Sequence, residues 1–468
     1  MPRSVNKFAL AAFLLLVAGA AIGFDAWVGR PSERPTVIYI SIDSLRADHM
    51  GAYGYGKPTT PFLDSLLLRG AVFERVYAPG YLTFQTDAAV LSGLYPSKNN
   101  VTTWETPIRH DVELLPEILK LYGYSTGAFV SPSLWKYFGF NRGFDTYVLN
   151  SKMKNIAEAR ETILNWVAGH TGPRFVFWHI YDAHLPFVAA EKPFLTEEYN
   201  GPFASTTRRF NWVSQTLSSV PATGGAVPIS DADRKYLAAA YDTGIRKVDD
   251  ELRIFYAKLS SRVDFRNVIF VIASEHGEDL GEHGFVFHRD LYDVNTRVPL
   301  AIVYPHSVEP RRITTPVSLL DVMPTILSLA GIVPKVGIDG IDLTPLIEGR
   351  EPEDRDIYIE RQPFDEYALV DWPYKYIMRS PKKAITSGDE YDQLFFREIR
   401  KNDVTEADEL YHLGNDPGEE RSLIGVGVSE ATSLRARLEE FRNRMSEARS
   451  AEPPSDRASD VLVPYFEP

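Results

Sequence analysis

The alternation of apolar and polar stretches divides the chain into recognisable pieces. "VIYISID" (37–43) is mostly apolar and β-branched and closes on an acid, the pattern of a strand buried on both faces of a parallel sheet. Similar runs recur at "RFVFWHI" (174–180), "NVIFVIAS" (267–274) and "PLAIVYP" (299–305). Between them lie amphipathic or loop-like stretches, including "LLPEILKLYGY" (114–124) and "DTGIRKVDDELRIFYAKL" (242–259). This alternation predicts an α/β sandwich with its site at the carboxyl ends of the strands.

Other stretches break the pattern. Residues 190–232 are rich in Pro, Gly, Ser and Thr and show little periodicity, which suits either a lid or substrate wall or plain disorder. After "GIDGIDLTPLIEGRE" (337–351) come the short strand-like runs "DIYIERQ" and "YALVDWPYKYIMR", then the helical "SLRARLEEFRNRMSEARS". A smaller C-terminal domain over 351–450, with an antiparallel sheet and a helix, follows the main body at 35–350. The last stretch, 451–468, reads as a disordered tail.

The amino terminus has its own pattern. Arg3 and Lys7 precede an apolar run from Phe8 to Phe24 with "AGA" at 18–20, the layout of a secretory signal cleaved after Ala20. The run also sits at the short edge of the roughly 17 to 25 residues of a spanning helix, so an uncleaved membrane anchor over 1–24 is the competing reading. Either way the body is expected outside the cytoplasm, on the periplasmic or extracellular face.

Composition narrows the chemistry. Lys and Arg total 50 against 63 for Asp and Glu, and the net charge of −13 comes with no Lys/Arg-rich run between residues 35 and 450. Nucleic acid is thereby excluded as a partner, because phosphate binding needs clustered positive charge. An anionic substrate would need local positive charge, which a metal ion supplies. The chain has no Cys, so disulfides, thiolate metal sites, lipoprotein acylation and any cofactor made from Cys are ruled out.

Candidate chemistry gathers at the strand ends. Asp43 closes the first run, and Glu275 and His276 follow the third in "SEHGED". With a hydroxyl added, two carboxylates and an imidazole make a divalent-metal site. "YLTFQTDAAVLSGLYPS" (81–97) reads as loop, then a helix from Asp87 to Leu91 stopped by Gly93, with Thr83 just ahead of it.

These blocks, in order along the chain, resemble the sulfatase branch of the alkaline phosphatase superfamily. "IDSLRADHMGAYGYGKPTTPFLDSLLLRGAVFERVYAPG" is similar to its opening signature. "LSGLYPS", "GYSTGAFV", "NRGFDTY", "HIYDAHLPF", "SEHGEDLGEHG", "TRVPL", "LLDVMPTILSLAG" and "DELYHLGNDPGEERSL" follow in the family's order, from about Val37 to Leu423. The resemblance implies an alkaline-phosphatase/sulfatase-like α/β/α sandwich with a smaller C-terminal domain.

It also implies an enzyme acting on an anionic ester, a sulfated or phosphorylated glycan, lipid or small molecule. One divalent ion, calcium, magnesium, manganese or zinc, would be held by Asp43, Thr83, Glu275 and His276. Thr83 aligns with the Cys or Ser nucleophile, and His184 and His288 match positions that contact the transferred group or donate a proton. His283 is either a helper or a hydrogen-bonding support, and His179, on an otherwise apolar strand, is read as structural.

Four positions depart from the family pattern. Thr83 cannot become formylglycine, whose hydrate expels sulfate; a phosphorylated Thr can be released by water or an alcohol attacking phosphorus. The family's Arg is Asp87, explained as an acid capping the first helical turn. The second Asp of the first pair is Ser44, and the Asp before the metal His is Glu275. The alternative function is a catalytically inactive relative that binds a glycan or envelope partner.

Overall fold

The computed structural model describes residues 34–131, 134, 138–150, 155–188, 190–205, 229–284, 286–334, 337–350, 355–381, 396 and 407–450. The Phe8–Phe24 run, residues 206–228 of the 190–232 stretch and the tail 451–468 lie outside them. Among the described residues no helix is long and apolar enough to cross a membrane.

The apolar runs assemble into one large sheet. Its strands are β1 (Thr36–Ile42), β2 (Ala71–Tyr77), β3 (Ser125–Val130), β4 (Thr146–Leu149), β5 (Arg174–Ile180), β6 (Val268–Ala273), β7 (Arg297–Val303), β8 (Arg311–Ile313) and β9 (Val317–Ser318). They lie in the order β4-β3-β5-β1-β6-β7-β2-β8, with β9 paired to β2. β1, buried along its whole length, runs parallel to β5 on one side and β6 on the other.

The "PLAIVYP" run corrects the parallel expectation, because β7 is antiparallel to both β6 and β2. Among the described residues between β6 and β7, the helical segments are Glu282–Gly284 and Asp293–Thr296, both too short to cross the sheet. The chain therefore re-enters from the end it left.

Strand alternation sends successive side chains into two apolar layers. The main helices are α1 (Pro61–Leu67), α2 (Thr83–Ser92), α3 (Leu115–Leu121), α4 (Ile156–Gly169), α5 (Asp231–Leu259), α6 (Val322–Leu329) and α7 (Glu430–Ser450). Val37, Tyr39, Phe175, Phe177, Ile269 and Val271 pack in one layer with Phe84 and Val90 of α2, Leu119 of α3 and Ile326 of α6. Ile38, Ile40, Val176, Trp178, Phe270 and Ile272 pack in the other with Leu63 of α1, Leu164 of α4 and Leu252 of α5. The body is an α/β/α sandwich.

A second, antiparallel sheet follows, in the order β10 (Ile357–Arg361), β11 (Glu366–Asp371), β12 (Tyr374–Met378) and β13 (Glu409–His412). Tyr367 and Leu369 of β11 face Leu434, Leu438, Phe441 and Met445 of α7, whose spacing of three and four residues makes one apolar stripe. Ala368 and Val370 point the other way, toward Tyr77, Leu291 and Tyr292 of the body.

Glu360 of β10 marks this junction. It is fully buried, and both the backbone N–H and the hydroxyl of Ser97 donate to its Oε2, at 3.0 and 2.7 Å. Burial, opposed by Ser97, pushes its carboxyl up to about 7. The folded state thus holds a proton that the unfolded chain releases near 4.5, and stability falls as pH rises between those values. In thermal melts from pH 5 to 8, the wild type is expected to lose on the order of 3 kcal/mol relative to Glu360→Gln. Parallel pH curves for the two proteins would remove Glu360 as the cause.

Candidate active site

Parallel register decides what meets at the carboxyl edge of the sheet. Ser41 of β1 stands level with His179 of β5 and Ala273 of β6. Glu275, two residues beyond Ala273, therefore receives Ser41 Oγ on Oε2 at 2.9 Å, while His179 Nε2 lies 3.1 Å from its Oε1. Asp43 is held beside them by its backbone N–H, which donates to Ile180 O at 2.8 Å and extends the ladder by one residue.

Asp43, Glu275 and His276 are completely buried, and each offers a ligand atom within 4.8 Å of the others. His276 Nδ1 donates to Gly277 O at 2.9 Å, which leaves the Nε2 lone pair facing Asp43 Oδ1 at 3.8 Å. Burial pushes the His276 imidazole below its ordinary range and so favours the neutral form that ligates metals. Asp43 Oδ2 receives no hydrogen bond, although it is fully enclosed. A buried carboxylate oxygen without a donor is costly. A divalent cation fits this donor set.

Ser44 stands where the family has the second Asp of its first pair. Its backbone is left-handed (φ 62°), its carbonyl accepts the Tyr241 hydroxyl at 2.6 Å, and its own hydroxyl donates to Asp43 Oδ1 at 3.0 Å. Here the hydroxyl orients the Asp43 carboxylate.

Thr83 is the first residue of α2, earlier than the helix start expected at Asp87. Leu82 and Phe84 are both buried in the apolar layer, so core packing sets the start, and no side chain caps it. The Thr83 hydroxyl donates to His276 Nε2 at 3.0 Å. Asp87 consequently lies one turn inside the helix and is not a cap. The acid faces the cluster: its Oδ2 is 3.8 Å from His179 Nε2, and neither of its oxygens has a hydrogen-bond donor.

Two further imidazoles close the site. His184 Nε2 and His288 Nε2 are 3.1 Å apart, and the His288 ring stacks on His276 with centroids 3.7 Å apart. His184 Nδ1 donates to Leu185 O and His288 Nδ1 to Tyr81 O. With both Nδ1 atoms protonated, the facing Nε2 atoms attract only if one further proton lies between them. His283 is not part of this group; it stacks on Tyr292 with centroids 3.7 Å apart.

His179, read as structural on an apolar strand, stands beside the acidic cluster. Its Nδ1 meets Ser131 Oγ at 2.8 Å, and its Nε2 faces Glu275, Asp43 and Asp87. Sequence periodicity concealed it, because a lone polar residue in a buried run looks like core. Its position two residues after Phe177, level with Ser41, becomes visible only through strand register.

A family model described as Sulfatase matches residues 35–332, well over half of the chain. The chain belongs to the sulfatase family. A second model, described as N-sulphoglucosamine sulphohydrolase, C-terminal, matches residues 281–448. Among curated sulfatases, the chain is 24% identical to Delta 4,5-hexuronate-2-O-sulfatase of Bacteroides thetaiotaomicron, over 84% of this chain and 85% of that one. It is 23% identical to N-acetylgalactosamine-6-sulfatase of Canis lupus familiaris, over 87% and 84%.

Solved structures give the same fold. One, of a protein in complex with its substrate D-glucosamine-2-N,6-O-disulfate, superposes with a TM-score of 0.68 at 18% identity, covering 92% of this chain and 100% of that one. The phosphonate monoester hydrolase of Agrobacterium radiobacter gives 0.64 at 19% identity, covering 89% and 96%.

If the cluster is a cation site, thermal melting reports it without any substrate. After exhaustive chelation, restoring a divalent ion to about 100 times its Kd is expected to stabilise the protein by about 2.7 kcal/mol. Asp43→Asn should abolish that gain. An equal gain in the variant would place the ion elsewhere.

Proposed function

We propose that this member of the sulfatase family is a metal-dependent ester hydrolase or group transferase working outside the cytoplasm, with Thr83 as its nucleophile. The observation that carries the reading is the 3.0 Å contact between Thr83 Oγ1 and His276 Nε2, next to the buried Asp43–Glu275–His276 group. Asp43, Glu275 and His276 would hold the ion. When bound, it would lower the proton affinity of the Thr83 hydroxyl and hold an oxygen of the ester.

The protein's own groups supply the rest. Helix α2 begins at Thr83 without a side-chain cap, so its first N–H groups and its dipole favour an anion there. Thr83 Oγ1, having given up its proton to solvent, would form a bond to sulfur or phosphorus as the bond to the departing alcohol breaks. A proton shared between His184 Nε2 and His288 Nε2 would pass to the departing oxygen. Water or an acceptor alcohol then releases the group from Thr83.

Family membership supports sulfate esters, and relatives named for hexuronate and N-acetylgalactosamine sulfates support a sulfated sugar. The chemistry of Thr83 favours phosphoryl release, because a Thr ester lacks the second hydroxyl with which a formylglycine hydrate expels sulfate. Aryl sulfates, phosphate monoesters and phosphate diesters assayed side by side separate these. Sulfate release that depends on Thr83 would mean an unmodified Thr sustains sulfuryl transfer; phosphate release would make the chain a phosphoryl-transfer branch of the family.

Thr83→Ala is expected to lower turnover at least about 1,000-fold with an unchanged melting temperature, and Thr83→Ser to retain most activity. Full activity in the Ala variant would overturn the mechanism. His288→Asn should slow alkyl esters about 100-fold and aryl esters far less, since only a poor leaving group needs the proton. Equal losses on both would remove the proton-donor role.

A further inference from the structure

The cluster contains more donors than Asp43, Glu275 and His276. Thr83 and Asp87 are four residues apart on α2 and so share one helix face, the one turned toward the strand ends. Asp87 is fully buried, and no hydrogen-bond donor reaches either of its oxygens. His179 Nε2, also enclosed, lies 3.1 Å from Glu275 Oε1, 3.4 Å from Asp43 Oδ2 and 3.8 Å from Asp87 Oδ2. Donor atoms bound at about 2.1 Å to a common ion stand roughly 3 to 4 Å apart. These separations, all taken from His179 Nε2, are of that size, while Asp43, Glu275 and His276 are the three whose donor atoms all lie within 4.8 Å of one another.

We propose that Asp87 and His179 join Asp43, Glu275 and His276 in one carboxylate-and-imidazole centre built for a first-row transition dication, Mn2+ or Zn2+, rather than for Ca2+ or Mg2+. The proposal rests on the metal-dependent reading above and specifies its ligands and ion class. Three carboxylates and two imidazoles form a mixed oxygen and nitrogen set, whereas Ca2+ and Mg2+ take oxygen almost throughout.

His179 can serve because of Ser131. As the group stands, Nε2–H donates to Glu275 and Nδ1 accepts from the Ser131 hydroxyl. A hydroxyl donates and accepts equally well, so moving the proton to Nδ1 keeps the Ser131 bond and turns the Nε2 lone pair to the cation. Asp87, standing where the family has an Arg, then gives the ion a ligand at the place from which a fixed cation has been lost.

Calorimetric titration of the chelator-stripped full chain with Mn2+, Zn2+, Ca2+ and Mg2+ tests this. Mn2+ and Zn2+ are expected to bind at least 100-fold more tightly than Ca2+. Asp87→Asn and His179→Gln should each weaken Mn2+ binding at least tenfold. Electron spin-echo spectroscopy of the Mn2+-loaded wild type, which needs no variant to fold, should count two coordinated imidazole nitrogens. One nitrogen, undiminished binding in both variants, or Ca2+ binding as tight as Mn2+ would overturn this assignment and leave the metal-dependent reading standing. No binding of any of the four ions would overturn both.

Discussion

Three carboxylates enclosed together at the end of a hydrophobic sheet are the constraint on which the rest of this structure depends. Asp43, Asp87 and Glu275 are all completely buried. Burial first, and then the neighbouring Glu275 charge, pushes both Asp43 and Asp87 well above the usual carboxylate range. Glu275 goes the other way, because His179 and His276 beside it outweigh the effect of burial. Negative charge in a low-dielectric interior has to be met by protons or by a cation, and the imidazoles around the cluster belong to that compensation.

Two buried guanidinium groups are each tied to several acids. Arg46 pairs with Asp48 and Glu282, and Arg379 with Asp290, Glu366 and Glu409. On the metal-dependent reading proposed above, an ion would supply positive charge for an anionic ester where Asp87 replaces the family's Arg. Family pattern and local electrostatics thus point to the same requirement from opposite directions.

Much of this was legible in the sequence, and the failures have physical reasons. β1, β5 and β6 are buried on both faces, so their apolar runs stand out; β3 opens on Ser, Thr and Gly, β4 has only four residues, and β2 carries Glu74 and Arg75 in its middle, which hides them. The direction of β7 depends on where the preceding loop folds, which composition does not encode. Asp43, Glu275 and His276 were visible because motif order marks them. His179 and the true setting of Asp87 were not, since both follow from how strands align and where the core lets a helix begin.

The second sheet bears on whether the site is complete. Leu291 and Tyr292, three and four residues after His288, are packed between Tyr77 and the sheet residues Ile359, Val370 and Tyr411, and Asp290 is tied to Arg379. Ile359, Val370, Tyr411 and Arg379 all come later in the chain than the segment they hold, so the setting of His288 depends on residues reaching to β13. A chain cut short before β13 would leave Leu291 and Tyr292 without that cover, although every strand of the large sheet would be present.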